Sequence, residues 1–278
     1  MRTSLLIIMI AVANFAFAAP QYVTYDFSGG RLGDCLITYL HAKWLAYEKG
    51  VPLLYKPFEY SSFLVLHDRE LRKVQTASKN IYKCPYFPES TWEMKNHPFS
   101  GFAVDWKDPE FRTIVRELIA PKGKLDLIRP PENVRGVALH VREGGGYDVN
   151  GFAYFPTKFP PLSFYIDGVK AALAQFPGEH LYCQLFTDAL DPAALITKIR
   201  QELPPDASIE FHYRDNNNVH DANVLEDFFS LFEFDILIRP ASNFSIVPSL
   251  ICDYAMVYAA EDYDAEQGRV VVKMELAP

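Results

Sequence analysis

The sequence is short of cysteine, of positive charge and of long apolar runs, and each shortage removes a class of function. Its 278 residues contain four cysteines, Cys35, Cys84, Cys183 and Cys252, none in a C-x-x-C pair, so the spacing offers no zinc site. Four thiols allow three disulfide pairings, and nothing in the spacing selects among them. Lysine and arginine number 27 against 35 acidic residues, a formal net charge of −8. That sign excludes nucleic acid or an anionic membrane as the main partner, and any phosphate-bearing ligand must be held by a local site. After Phe17 no apolar stretch reaches the roughly 20 residues a membrane span needs, so no stable membrane insertion is expected. Internal repeats are missing, and the one low-complexity tract, DNNNVHDAN at 215–223, reads as a surface loop.

The long apolar stretch that does exist lies at the start. MRTSLLIIMIAVANFAFAAP carries one charge at Arg2, an apolar segment from Leu5 to Phe17 and the small-residue pattern Ala16-Phe17-Ala18. That order reads as a cleavable signal peptide over residues 1–18, from which residence in the secretory pathway or export is expected; an uncleaved anchor is the alternative. The whole chain is 49% hydrophobic and 14% aromatic, ample for one large domain or two smaller ones after the leader.

The second half alternates strand and helix. Gly136–Arg142 reads as a buried strand ending in charge, 162–176 as helix, and Leu181–Thr187 as strand. Asp191 and Pro192 then supply an N-cap and a first helical position. Ser208–Tyr213 is strand, 223–234 amphipathic helix, Asp235–Arg239 strand, and 243–255 helix with Pro248 expected in its first turn. This is the spacing of a parallel, doubly wound sheet. The first half opens alike. Tyr22–Phe27 is strand, Leu32–Lys49 helix ended by Gly50, and Val51–Tyr55 the next strand. Residues 68–75 and 108–120 read as helices, 83–101 as a loop-rich insert, and 120–133 as a linker. The expected fold class is α/β, with two Rossmann-like halves meeting near residue 130.

Three corners carry chemistry. Gly29-Gly30-Arg31-Leu32-Gly33-Asp34 joins a strand to a helix, where backbone N–H groups converge on an anion and glycine permits close approach. A tight turn without a ligand is the alternative. His140 and Arg142 share one strand face and point to its carboxyl end, where ligands of open α/β sheets bind. The arginine fork suits phosphate oxygens, although a surface ion pair beside a buried histidine fits too. At the third corner Arg239-Pro240 precedes a helix start flanked by Ser242, Asn243 and Ser245, again an anion seat or simply a capped helix. Asn243-Phe244-Ser245 is also the one N-x-[ST] pattern in the chain.

Together these stretches resemble one family. Gly30-Arg31-Leu32-Gly33-Asp34-Cys35 before an aromatic-rich helix is similar to the G-x-[LF]-G-N-Q opening of fucosyltransferases. VALHVRE resembles their H-x-R strand, FTDAL their F-[ST]-D strand end, and DFFSLFEFDILIRPASNFSIVPSLI their D-to-S-x-S segment. The order and intervals hold from about residue 25 to 255. The resemblance implies the α1,2-, α1,6- and protein O-fucosyltransferase superfamily. It further implies a GT-B fold of two Rossmann-like halves facing a cleft, a GDP-fucose donor, inversion at the sugar carbon and no obligatory metal. Residues 19–132 would then form the acceptor-side half and 133–278 the GDP-sugar-binding half, with a glycan or glycoprotein hydroxyl as acceptor. Asp34-Cys35 replaces the family's Asn-Gln, and Glu143 stands where the α1,2 and α1,6 groups carry a second arginine.

On that resemblance Arg142 holds the pyrophosphate, with Gly30, Arg31, Gly33 and Ser245 around it. His140 binds the ribose or phosphate edge or orients Arg142. Asp188 holds guanine or ribose, and Ser242, Asn243 and Phe244 complete the donor site. Asp34 is the candidate general base, with Asp26 and Glu143 as rivals and a plain helix-start carboxylate as the alternative role. Two other classes stay open: a secreted carbohydrate- or nucleotide-binding pseudoenzyme of the same fold, and a hydrolase with paired carboxylates, which no motif supports.

Overall fold

A computed structural model describes residues 22–27, 29–72, 81–86, 102–144, 151–215, 218–219 and 221–277. The signal peptide expected at 1–18 and most of the insert expected at 83–101 lie outside these residues. β1 (Tyr22–Tyr25) leads into α1 (Leu32–Lys49). The helix stops where Gly50 adopts φ 64°, a left-handed conformation that favours glycine. β2 (Ile81–Cys84) pairs with β1 in parallel. On the other flank of β1 the expected strand at 51–55 shrinks to two isolated parallel bridges, Leu53 with Val23 and Leu54 with Leu71. Pro52 explains the contraction: it has no N–H to donate, and only its carbonyl joins the ladder, accepting from Val23 at 3.1 Å. The helix expected at 68–75 is likewise short. α2 covers Leu66–Arg69, Glu70 is extended, and 73–75 lie outside the described residues.

α3 (Pro109–Ile119) has the start its sequence announces, with Asp108 accepting from the Phe111 amide at 2.8 Å. Beyond segment 120–134, which has no helix or strand and ends in a turn at 132–133, comes a sheet of six strands in the order β5-β4-β3-β6-β7-β8. These are β3 (Arg135–Val141), β4 (Leu181–Thr187), β5 (Ile209–Tyr213), β6 (Ile236–Arg239), β7 (Met256–Asp264) and β8 (Arg269–Leu276). All pair in parallel except the terminal β7–β8 hairpin. Between the strands run α4 (Gly151–Tyr154), α5 (Leu162–Gln175), α6 (Pro192–Gln201), α7 (Val224–Ser230) and α8 (Asn243–Ile251).

The two faces of this sheet are covered differently. Val137, Leu139 and Val141 of β3 pack with Tyr165 and Val169 of α5 and Ile199 of α6. Ala138, Leu237 and Val257 face the opposite side, toward Leu231 and Phe234. α7 and α8 turn their apolar stripes away from the sheet. Leu225, Phe228, Phe229, Val247 and Ile251 join one core with Leu36, Leu40 and Phe111 of the first half. Buried apolar area therefore welds α8 onto α1, and this brings the starts of two helices together.

Pro248 corrects one expectation. It is the sixth residue of α8, inside the helix rather than in the first turn, and it is fully packed. The hydrogen bond a proline cannot give is tolerated because Val247, Pro248 and Ile251 are held in the core. The free carbonyls at the other end of α8 are gripped from outside, Arg112 and Arg116 of α3 both donating to Ile251 O.

Candidate active site

The chain order fixes where the site forms. From β3 the chain steps outward to β4 and β5, then returns to place β6 and β7 on the other side of β3. Connections leave β3 and β6 in opposite directions, which opens a crevice at their carboxyl ends. A cleft of about 600 Å³ occupies that edge, lined by Gly29–Asp34, His140, Arg142, Phe186–Asp188, Ser242–Phe244 and residues of the loop after β5. Gly30, Arg31, Gly33, Asp34, His140, Arg142, Asp188, Ser242, Asn243 and Phe244 all border it, so the three corners singled out in the sequence are one site. Ser245 lies one layer behind, fully buried.

Two helix starts meet here at closest approach. A methyl group on Gly33 would stand 2.4 Å from the amide nitrogen of Phe244 and 2.5 Å from the carbonyl carbon of Asn243. Only hydrogen fits between the backbones of α1 and α8. The first N–H groups of a helix have no partner within it, and its dipole makes that end positive. Among the described residues the amides of Asn243 and Phe244 have no acceptor, since Ser242 O takes the amides of Ser245 and Ile246 instead. The Ser242 side chain makes no capping bond. Two positive helix ends thus converge on one wall of the cleft, where the first turn of α1 carries one carboxylate, Asp34.

Asp34 sits beside this convergence and is tied down on one oxygen. Tyr86 Oη and Asn243 Nδ2 each donate to Oδ1 at 2.7 Å. No partner of Oδ2 occurs among the described residues. The rivals are placed elsewhere. Asp26 is held by Lys56 and Lys83 outside the cleft lining, and Glu143 is exposed, its amide donating to Asp188 Oδ1 at 2.7 Å.

His140 is buried at 8% exposure, and its Nδ1 lies 2.7 Å from Ser245 Oγ. Burial, reinforced by the positive charges of Arg142 and Arg239, pushes its pKa down to about 3, so the ring is neutral near pH 7. Its face packs against Phe244, with centroids 5.6 Å apart. With Nδ1 engaged, Nε2 is the ring nitrogen left for a ligand. Arg142 follows β3, its guanidinium over the Phe159 ring at 5.2 Å. The aromatic plane orients the fork without neutralising it.

Several lining residues escaped the sequence reading. The tract expected as a surface loop contributes Asn218, Val219, Asp221 and Ala222 to the cleft. The rule that ligands sit at carboxyl strand ends would have flagged that loop, because it follows β5. Asp227 also borders the cleft, with Arg214 Nε and Nη2 donating to its Oδ1 at 3.0 and 2.8 Å. Burial raises the pKa of Asp227 although Arg214 opposes the shift. Glu59 and Tyr60 reach the cleft from the first half, and Tyr60 does so at φ 66°, in the left-handed region. No group of three or more histidine, cysteine or acidic side chains forms a metal cluster among the described residues. No helix there is long and apolar enough to cross a membrane.

No protein-family profile matches the sequence, and no curated protein does. Solved structures do. A mutant of the Arabidopsis thaliana fucosyltransferase FUT1 in complex with GDP aligns at TM-score 0.54 and 11% identity, over 88% of this chain and 71% of that one. The fucosyltransferase NodZ from Bradyrhizobium aligns at TM-score 0.43 and 15% identity, over 94% of this chain and 100% of that one. A NodZ α-1,6-fucosyltransferase crystal soaked with GDP-fucose gives TM-score 0.43 and 14% identity, over 93% and 100%. The likeness to FUT1 is one of fold: this chain shares the α/β architecture of that structure, with a mainly parallel central sheet.

Proposed function

We propose that the protein is a glycosyltransferase that moves fucose from GDP-fucose to a hydroxyl of a glycan or glycoprotein, with inversion at the sugar carbon. The observation that carries the reading is the meeting of α1 and α8 at Gly33, which aims two positive helix ends at a cleft bordered by Arg142. The overall charge of the chain repels a diphosphate, so a seat of this kind needs a ligand to justify it.

In this mechanism the pyrophosphate lies against the Asn243 and Phe244 amides and the first turn of α1. Arg142 forks onto its oxygens, and neutral His140, held by Ser245, offers Nε2 to the phosphate edge or ribose. Arg31 stands at the rim. As the bond from the sugar carbon to the β-phosphate oxygen breaks, negative charge grows on GDP and these fixed donors stabilise it. The acceptor oxygen attacks from the opposite face, and its proton passes to Asp34 Oδ2. Tyr86 and Asn243 keep that carboxylate oriented through Oδ1. Guanine presents two adjacent N–H donors, which the carboxylate of Asp188, or of Asp227 in the same cleft, can accept. None of these steps requires a metal from the protein, because amides and the guanidinium supply the charge.

The division into an acceptor-side half at 19–132 and a donor-side half at 133–278 belongs to the proposal, as does export after removal of residues 1–18. Incubation with GDP-fucose and a panel of glycans tests the activity. Fucosylated product with the opposite anomeric configuration, released with one equivalent of GDP, is the expected result. Tight GDP binding without turnover on any acceptor would instead mark a nucleotide-binding pseudoenzyme.

A further inference from the structure

We infer that the outer edge of β8 is a self-association surface, where a second copy of this chain adds its own β8 in antiparallel register and joins the two sheets. β8 is the last strand of the six-stranded sheet, and no described residue pairs with its outer edge. It is unusually apolar for such a place: Val271, Val272, Met274 and Leu276 are exposed by 37–50%. An exposed edge with alternating apolar residues is a template for another strand.

The two faces of β8 are chemically distinct. Val270, Val272, Met274 and Leu276 stand opposite Tyr263, Ala260, Tyr258 and Met256 of β7. Ala260, Tyr258 and Met256 belong to the core under α5, so this row continues an existing apolar layer past the edge of the helix that covers it. Arg269, Val271, Lys273 and Glu275 occupy the other face. Two copies related by a two-fold axis normal to the sheet keep their faces, so each residue must pair with one of the same face.

The register centred on Val272 satisfies both rows over the greatest length of strand. With Val272 facing Val272 of the second copy, Val270 faces Met274 and the apolar row is unbroken. On the other face Arg269 faces Glu275 at both ends of the ladder. Glu275 already accepts from Lys273 at 2.7 Å, and Arg269 lies across from Asp264 of β7. Each added ion pair therefore extends a network of alternating sign. Sliding the register by two residues sets Arg269 against Lys273 in one direction, or Lys273 against itself in the other. Like charges directly opposite destabilise a strand pair. Sliding by four pairs Lys273 with Glu275 about Met274, but only 272–276 of the strand then overlap, against 269–275 about Val272. Self-complementarity, greatest in length about Val272, is what selects a second copy over an unrelated strand as the occupant.

Sedimentation equilibrium of the full chain, with and without GDP, tests the inference together with two sets of variants. The wild type is expected to dimerise, and Val272→Lys, which puts two ammonium groups on the axis, to weaken association at least tenfold. Arg269→Glu and Glu275→Arg should each weaken it, and the double exchange should restore it, with circular dichroism confirming that each variant is folded. Val272→Cys should cross-link to a covalent dimer under mild oxidation, because residues directly opposite have Cβ atoms about 4.5–5.5 Å apart; Val271→Cys should not. A monomeric wild type would overturn the inference. So would a dimer indifferent to Val272→Lys and to the charge exchange, or equal cross-linking from both cysteine variants.

Discussion

Replacing Gly33 by alanine puts one methyl group where α1 and α8 meet, and the consequence can be worked from distances. The new Cβ would lie 2.4 Å from Phe244 N, 2.5 Å from the Asn243 carbonyl carbon and 2.8 Å from Phe244 Cα. Ordinary non-bonded contact begins at about 3.5 Å, so the two helix starts must separate by about 1 Å. All three atoms are backbone, and no rotamer change relieves them. The first turn of α8 is pinned by the bonds from Ser245 and Ile246 to Ser242 O, and its far half is sealed in the core. Overpacking of this kind costs about 1–3 kcal/mol, and rigid neighbours put Gly33→Ala near the upper figure. The displaced Asn243 and Phe244 amides should also lose a charge-assisted hydrogen bond to a diphosphate, about 1.5–3 kcal/mol, or a tenfold to hundredfold loss of GDP affinity. Urea unfolding and GDP titration of the same preparation measure both. A variant within about 0.5 kcal/mol of wild type, with unchanged GDP affinity, would refute the claim that the crossing builds the phosphate seat.

Gly30→Ala should act differently, since its Cβ would meet Cβ, Cγ and Oδ2 of Asp34 at 2.4 Å and push the carboxylate off Tyr86 and Asn243; turnover should fall more than GDP affinity. Asp34→Asn should retain GDP binding and lower kcat by about 10²–10⁴, as expected for a lost general base, and normal turnover would reduce Asp34 to a helix-start carboxylate. Arg142→Ala should cost at least about 2 kcal/mol of transition-state stabilisation, and Arg142→Lys should rescue little because a point charge cannot reproduce the fork. His140 titrates near 6.5 when unfolded but near 3 when folded, so the unfolded chain binds an extra proton between those values. Stability from this group is complete above pH 6.5 and falls as pH drops toward 3, by up to about 1.4 kcal/mol per unit. Urea midpoints at pH 7 and pH 5 should differ less in His140→Gln than in wild type, and an equal difference would assign the acid sensitivity elsewhere. Limited proteolysis should cut first within residues 123–133 if the proposed halves are real.

The sequence pattern locates α1, β3, β4, α5 and α6 within a residue or so, because each has a local reason: a cap at Asp191 or Gly50, or an uninterrupted β-branched or apolar run. What it misses depends on distant partners. Pro248 sits deep in α8 because the shared core holds that helix, and no neighbouring residue announces this. The β7–β8 hairpin has a legible Val270–Val272 run, but β7 ends in Glu261-Asp262-Tyr263-Asp264 and carries a register shift between Ala260 and Asp262, which obscures its alternation. The candidate site is more legible than the fold around it. Parallel strands deliver every carboxyl end to one edge, so His140, Arg142, Asp188 and the α8 start had to converge. Glu59, Tyr60 and Tyr86 reach Asp34 and the cleft from loops of the first half, and only the folding of that half onto α1 brings them there.

The central claim is that a guanosine diphosphate occupies the cleft where α1 and α8 meet, and thermal unfolding against GDP, UDP and CMP tests it most directly. At a hundredfold excess over Kd, a ligand bound only by the folded state adds about 2.7 kcal/mol, which for a chain of this size raises Tm by about 5–10 °C. The account predicts that rise with GDP, little with UDP or CMP, and its loss in Arg142→Ala. No shift with GDP, an equal shift with all three nucleotides, or a GDP shift that survives Arg142→Ala would contradict it.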